Sequence, residues 1–123
     1  MRIVSVSEDH NIEKRIAITP DIAKKYIALG LKVSLPENYG EHLGFKDNEY
    51  KELGVETLKN EADVLNSADI IVQLGLLSDN NLLLLKENQT LVGVLNPQIN
   101  KEKLENLSKK NINIFSLEML PRI

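Results

Sequence analysis

Thr19-Pro20-Asp21-Ile22-Ala23-Lys24-Lys25-Tyr26-Ile27-Ala28-Leu29-Gly30-Leu31-Lys32-Val33-Ser34-Leu35 contains a helix, its stop and the strand that follows. Thr19 can cap a helix N-terminus through its hydroxyl, and Pro20 falls in the first turn, where a missing N–H costs little. Apolar residues recur at helical spacing as far as Leu29, so the sequence predicts a helix over Pro20 to Leu29. Gly30 suits the left-handed backbone that ends a helix. Leu31 to Leu35 then reads as a strand.

The same unit repeats on either side. Arg2 to Val6 is a short β-rich run. Asp47 to Leu53 reads as a short helix stopped by Gly54, and it leads into a short strand near Val55 to Leu58. A helix over Glu61 to Asn66 and a strand over Asp69 to Leu74 follow. Beyond them the pattern predicts a helix over Leu82 to Lys86, a strand over Thr90 to Val94, an amphipathic helix over Lys101 to Lys110 and a last strand over Asn113 to Leu117. Near-continuous Ile, Val and Leu strands separated by amphipathic helices, in roughly five βα units, imply an α/β fold: a doubly wound, mostly parallel sheet with helices on both faces, Rossmann-like or flavodoxin-like. Ligands of such sheets sit beyond the carboxyl ends of the strands.

A chain of 123 residues is one ordinary domain, able to bury about two-thirds of its unfolded surface. With 42% hydrophobic and 27% charged residues it is globular rather than disordered, and a net charge of −3 gives no general attraction to nucleic acid or to anionic membranes. The absence of cysteine excludes disulfides and thiolate metal sites and fits a reducing compartment, so the expected location is cytoplasmic. The acidic residues Glu8 and Asp9 arrive too early for a signal peptide, and the apolar run Leu82 to Leu85 is far short of the ~20 residues of a membrane span. The last residues, Ser116 to Ile123, end on Pro121-Arg122-Ile123 straight after an expected strand, which suggests a piece of a longer protein.

The strand mouths are where chemistry is to be sought. Arg15 follows the polar loop Ser7-Glu8-Asp9-His10-Asn11. Its guanidinium could grip a carboxylate or phosphate in two-pronged fashion, or it could pair with Glu13 or Glu8, the commoner outcome. His10 and His42 stand in separate polar loops with no partner at a metal-binding spacing, and each reads as a solvated side chain. No glycine-rich dinucleotide turn, phosphate loop, nucleophile elbow or zinc-type helix is present. Gly40, Gly44 and Gly75 read as turn residues.

Three patches nevertheless resemble a known family, the N-terminal domain shared by the α subunit of proton-translocating nicotinamide nucleotide transhydrogenases and by alanine dehydrogenases. The first is Met1-Arg2-Ile3 with Glu8 and then Glu13-Lys14-Arg15-Ile16-Ala17-Ile18-Thr19-Pro20, similar to the family's acidic-x-Arg-Val-Ala-x-(Thr or Ser)-Pro motif. The second is Leu29-Gly30-Leu31-Lys32-Val33 followed by Gly40, Phe45, Asp47 and Gly54. The third, Glu118-Met119-Leu120-Pro121-Arg122-Ile123, resembles the transhydrogenase branch. Departures accompany the match. Val6-Ser7-Glu8 stands where the family has Pro-Lys-Glu. Gln73 and Asn96 stand where alanine dehydrogenases place a substrate-binding Lys and a catalytic His, and neither can supply a cation or take up a proton near neutral pH.

The resemblance implies that residues 1–123 are the opening segment of this domain and that a separate NAD(H)-binding Rossmann domain follows it in the whole protein. The parent complex would move hydride between NAD(H) and NADP(H), coupled to proton translocation. Arg122 would belong to the nicotinamide-site loop, and Arg15 would mark a substrate carboxylate site. No cofactor residue and no metal site is expected in this chain, and no NAD(H) binding or activity by it in isolation. The implied partners are the remaining α-subunit segments, the membrane-embedded and NADP(H)-binding components, and a second α subunit in a homodimer. No nucleic acid or direct membrane insertion is expected, and the assembled protein would lie at the cytoplasmic face of the inner membrane. Two other readings stay open: a divergent alanine dehydrogenase-like fragment, and a non-catalytic α/β docking module.

Overall fold

Ile3 and Val4 are neighbours in the chain, yet each founds a different half of the core, because successive side chains of a strand point to opposite faces of its sheet. In the computed structural model, which describes residues 1–117, they lie on the central strand β1 (Arg2–Val4). The other strands are β2 (Lys32–Pro36), β3 (Glu56–Leu58), β4 (Ile70–Gln73), β5 (Thr90–Gly93) and β6 (Asn113–Ser116). They form one six-stranded sheet in the order β3-β2-β1-β4-β5-β6. Every ladder is parallel, with Ile3 opposite Val33 and Ile70, Ile71 opposite Leu91, and Leu91 opposite Ile114. The chain winds outward from β1 to β3, returns across the sheet to β4 and winds outward again. Its direction reverses between β1 and β4.

Helices cover both faces, as the alternation requires. Helices α1 (Pro20–Ala28) and α2 (Asp47–Glu52) close Ile3, Val33 and Leu35 into one cluster with Ile18, Tyr39 and Tyr50. Helices α3 (Glu61–Ser67), α4 (Asp79–Leu82) and α5 (Lys101–Lys109) pack Val64, Leu65, Leu82 and Leu107 against Val4, Ile71 and Leu91 on the other face. The register places Val72, Val92 and Phe115 in one row on the α1 side, where Phe115 is 60% exposed.

The helix boundaries follow their capping chemistry. Thr19 Oγ1 accepts from the Ile22 N–H at 3.3 Å, so the expected N-cap is present. At the other end, Gly30 (φ 90°) donates to Ile27 O at 2.9 Å while Leu31 N–H donates to Tyr26 O at 3.1 Å, a Schellman stop. Gly54 (φ 100°) ends α2 with the same pair of bonds. Asn111 (φ 62°) ends α5 with them too, a stop that no glycine announces.

Two expectations are corrected. The helix expected over Leu82 to Lys86 lies instead at Asp79–Leu82, because Ser78 Oγ accepts from Asn81 N–H at 3.3 Å and starts the turn earlier. Downstream, Gln89 takes the Lys86 N–H on its Oε1 at 2.7 Å and donates to Leu65 O and Ala68 O at 2.7 and 2.9 Å, which closes residues 86–89 into a turn. The first strand ends at Val4 rather than Val6, because Val6 finds its partner in a side chain, described below.

At the far end of β5, Gly93 lies so close to β4 that a Cβ there would stand 2.2 Å from Gln73 O. Gly93→Ala is therefore expected to cost about 1–3 kcal/mol through overpacking, read as a lower urea midpoint at unchanged slope.

Candidate functional site at the reversal of the sheet

Where β1 and β4 lie side by side, the chains leaving their carboxyl ends diverge, and a crevice of about 410 Å³ opens between them. Ser7, Glu8, Asp9, Glu61, Gln73 and Asn81 are among its lining residues, and none of the residues lining it is basic.

Gln73 organises it. The side chain is 2% exposed, and its Oε1 accepts from Val6 N–H at 2.8 Å and from Ser5 Oγ at 2.9 Å. Its Nε2 donates to Val6 O at 3.1 Å and to Glu8 Oε2 at 2.9 Å. One carboxamide thus pairs with both backbone groups of Val6, as a strand residue would, and has no capacity left for a ligand. Behind it, the Tyr39 hydroxyl donates to Ser5 Oγ at 2.9 Å and accepts from the N–H groups of Ala17 and Ile18, each at 3.1 Å. Tyr50, edge-on to Tyr39 with ring centroids 6.3 Å apart, donates to Ile18 O at 2.8 Å. Burial pushes the Tyr39 phenol up to about 12 and the Tyr50 phenol higher still, so both stay neutral donors.

Glu8 faces the crevice from the β1 side. Its carboxylate accepts from Leu74 N–H at 2.8 Å and Gly75 N–H at 3.1 Å in addition to the Gln73 amide. Burial raises its pKa, more than the two backbone donors lower it, and the nearby Glu13 charge adds to the rise. The folded chain therefore holds this proton more tightly than the unfolded chain. The contribution to stability is full below the unfolded value and is lost as pH rises through the folded one. Ser7 N–H donates to Glu61 Oε2 at 2.8 Å, which fastens the same loop to the start of α3.

The sequence-derived candidate Arg15 is not among the residues that line this crevice. Arg15 is 80% exposed and forks onto Glu13, Nε to Oε2 at 3.0 Å and Nη2 to Oε1 at 2.7 Å, so the ion-pair alternative is the geometry observed. Arg122 lies outside the described residues. His10 and His42, read as separate, stack with ring centroids 3.9 Å apart, and His42 Nε2 donates to Lys14 O at 2.7 Å. Asn96 sits beyond β5 with φ 48°, and its carbonyl accepts from Ile99 and Asn100 N–H. Among the described residues no group of three or more His, Asp or Glu side chains could hold a metal ion, and no helix is long and apolar enough to cross a membrane.

The profile described as alanine dehydrogenase/PNT, N-terminal domain, matches residues 5–123. The chain belongs to this family. It is 35% identical over 127 residues to the first part of the NAD(P) transhydrogenase alpha subunit of Rickettsia prowazekii (strain Madrid E), covering all of this chain and 33% of that protein. It is 32% identical over 123 residues to NAD(P) transhydrogenase subunit alpha of Cereibacter sphaeroides, covering all of this chain and 24% of that one. Alanine dehydrogenases of Methanococcus maripaludis and Staphylococcus aureus match at 30% and 26%. In fold, the crystal structure of transhydrogenase from Sinorhizobium meliloti superimposes with a TM-score of 0.88 at 24% identity, over 98% of this chain and 36% of that chain. The chain spans about a third or less of the length of these relatives.

The crevice of this alanine dehydrogenase/PNT N-terminal domain does not fit the pyrophosphate of a nicotinamide dinucleotide. Residues 5–19 separate β1 from α1, so no helix N-terminus opens directly from the central strand. The backbone donors after β4 already hold the Glu8 carboxylate, and Glu8, Asp9 and Glu61 would repel the incoming charge.

Tyr39→Phe leaves the Ala17 and Ile18 N–H groups without their buried acceptor and is expected to cost about 1–3 kcal/mol in urea unfolding. Arg15 holds the Glu13 carboxyl down at about 2, a contribution present above the ordinary carboxylate value and lost as pH falls towards 2. Arg15→Gln should therefore raise Glu13 towards its ordinary range in a carbon-detected NMR titration, the Arg15 backbone N–H still holding it partly down, while the melting temperature hardly moves.

Proposed function

We propose that this chain is the opening segment of the α subunit of a proton-translocating NAD(P) transhydrogenase, whose parent complex moves hydride between NAD(H) and NADP(H). The observation that carries the reading is that the chain aligns over its whole length with transhydrogenase α subunits, at 35% and 32% identity. An alanine dehydrogenase would need a cation at this strand mouth and a proton acceptor beyond β5, and Gln73 and Asn96 supply neither. A transhydrogenase asks less of this domain. Hydride passes between two bound cofactors, and the protein's task is to position them and exclude water.

On this reading the dinucleotide would be held by a glycine-rich domain elsewhere in the parent protein. Arg122 would stand in the loop that positions the nicotinamide, and Arg15 would mark a former carboxylate site. The partners would be the rest of the α subunit, a second copy of it, and the membrane-embedded and NADP(H)-binding components, which would place the chain at the cytoplasmic face of the inner membrane.

Calorimetric titration of NADH into this chain and into a polypeptide extended through the following domain tests the proposal. Saturable heat is expected from the extended protein only, followed by hydride transfer to an NADP analogue once the partner subunits are added. Micromolar NADH binding by the 123-residue chain would refute the assignment of the cofactor site to another domain.

A further inference from the structure

The donors that hold Glu8 have the form of a binding site. Leu74 and Gly75 are consecutive residues just past β4, and their N–H groups converge on one carboxylate, as in the backbone concavities that bind anions. The third donor, Gln73 Nε2, is aimed from the other side by bonds to Ser5 and Val6 that do not involve Glu8. All three stand at the reversal of the sheet, where folds of this architecture hold their ligands.

We propose that these donors form a seat for a small carboxylate whose resident is the chain's own Glu8, a tethered internal ligand that bars external carboxylates and pins the loop after β1. The inference is independent of the reaction assigned to the parent protein. Two features support it. The seat is built from β4 and its immediate continuation, so its aim does not depend on Glu8 being present. A tethered carboxylate also competes at an effective concentration in the millimolar range or above, so a free one at ordinary concentration cannot displace it. Asp9 and Glu61 at the rim would disfavour polyanions more than a single small carboxylate.

The test compares this chain with its Glu8→Ala variant, using sodium acetate as the probe against sodium chloride at equal ionic strength. In the variant, acetate on the order of 10 mM should raise the melting temperature beyond the chloride control and shift the amide resonances of Leu74 and Gly75 in a saturable way. The native chain should respond more weakly, by a factor of one plus the effective concentration of the tethered carboxylate divided by the acetate dissociation constant. A folded variant blind to acetate, or a native chain that responds equally, overturns the proposal. Should the variant not fold, the native chain decides by itself. The Leu74 and Gly75 amide protons should titrate together with Glu8, whose pKa burial raises, and amides that do not follow Glu8 overturn the seat.

Discussion

The structure turns on one carboxamide. Gln73 ends the strand that the chain reaches after crossing the sheet, and its side chain supplies Val6 with a donor and an acceptor where the backbone ladder between β1 and β4 has run out. The junction of the two halves of the sheet is therefore sealed by a side chain imitating a main chain. A lysine at this position could donate but could accept neither the Val6 N–H nor the Ser5 hydroxyl proton, and both buried donors would lose this acceptor.

From that amide a chain of hydrogen bonds runs in two directions. Through Ser5 it reaches Tyr39 and the backbone at Ala17 and Ile18. Through Glu8 it reaches the turn after β4. The network reconciles burial with polarity, since no buried side-chain nitrogen or oxygen among the described residues lacks a partner. It also shapes the electrostatics of the crevice. Glu8 is held by neutral donors rather than by a cation, so desolvation outweighs stabilisation and its proton is held more firmly than usual. Two residues before Arg15, Glu13 shows the reverse, because its bonds to Arg15 outweigh the desolvation that opposes them.

What could be read from the sequence was what depends on neighbours in the chain. Thr19, Pro20, Gly30 and Gly54 act within one helical turn of themselves, and the boundaries they announce are present. Strand composition and helix spacing were enough for the doubly wound parallel sheet. Ser78 was also a local signal, a cap three residues before Asn81, but the apolar run Leu82 to Leu85 overshadowed it. The crevice was not legible. Its bonds join Ser5, Val6 and Glu8 to Gln73 across separations of 65 to 68 residues, and no periodicity reports which Glu will face which amide. The stack of His10 on His42 was hidden for the same reason, as was the commitment of Tyr39 to a loop on the far side of α1.

The central position of β1 has a consequence in time as well as in space. Of the six strands it is the first to leave the ribosome, yet its two neighbours are β2 and β4, and the contact that closes its outer end arrives 67 residues later with Gln73. Parallel pairing at such separation is slow, because the entropy of closing the loop is spent before the contact returns anything. With β2 on one side, β1 keeps its other edge open until β4 is made. During that interval the strand synthesised ahead of the other five leaves the nascent chain open to capture by a chaperone or by another unpaired strand.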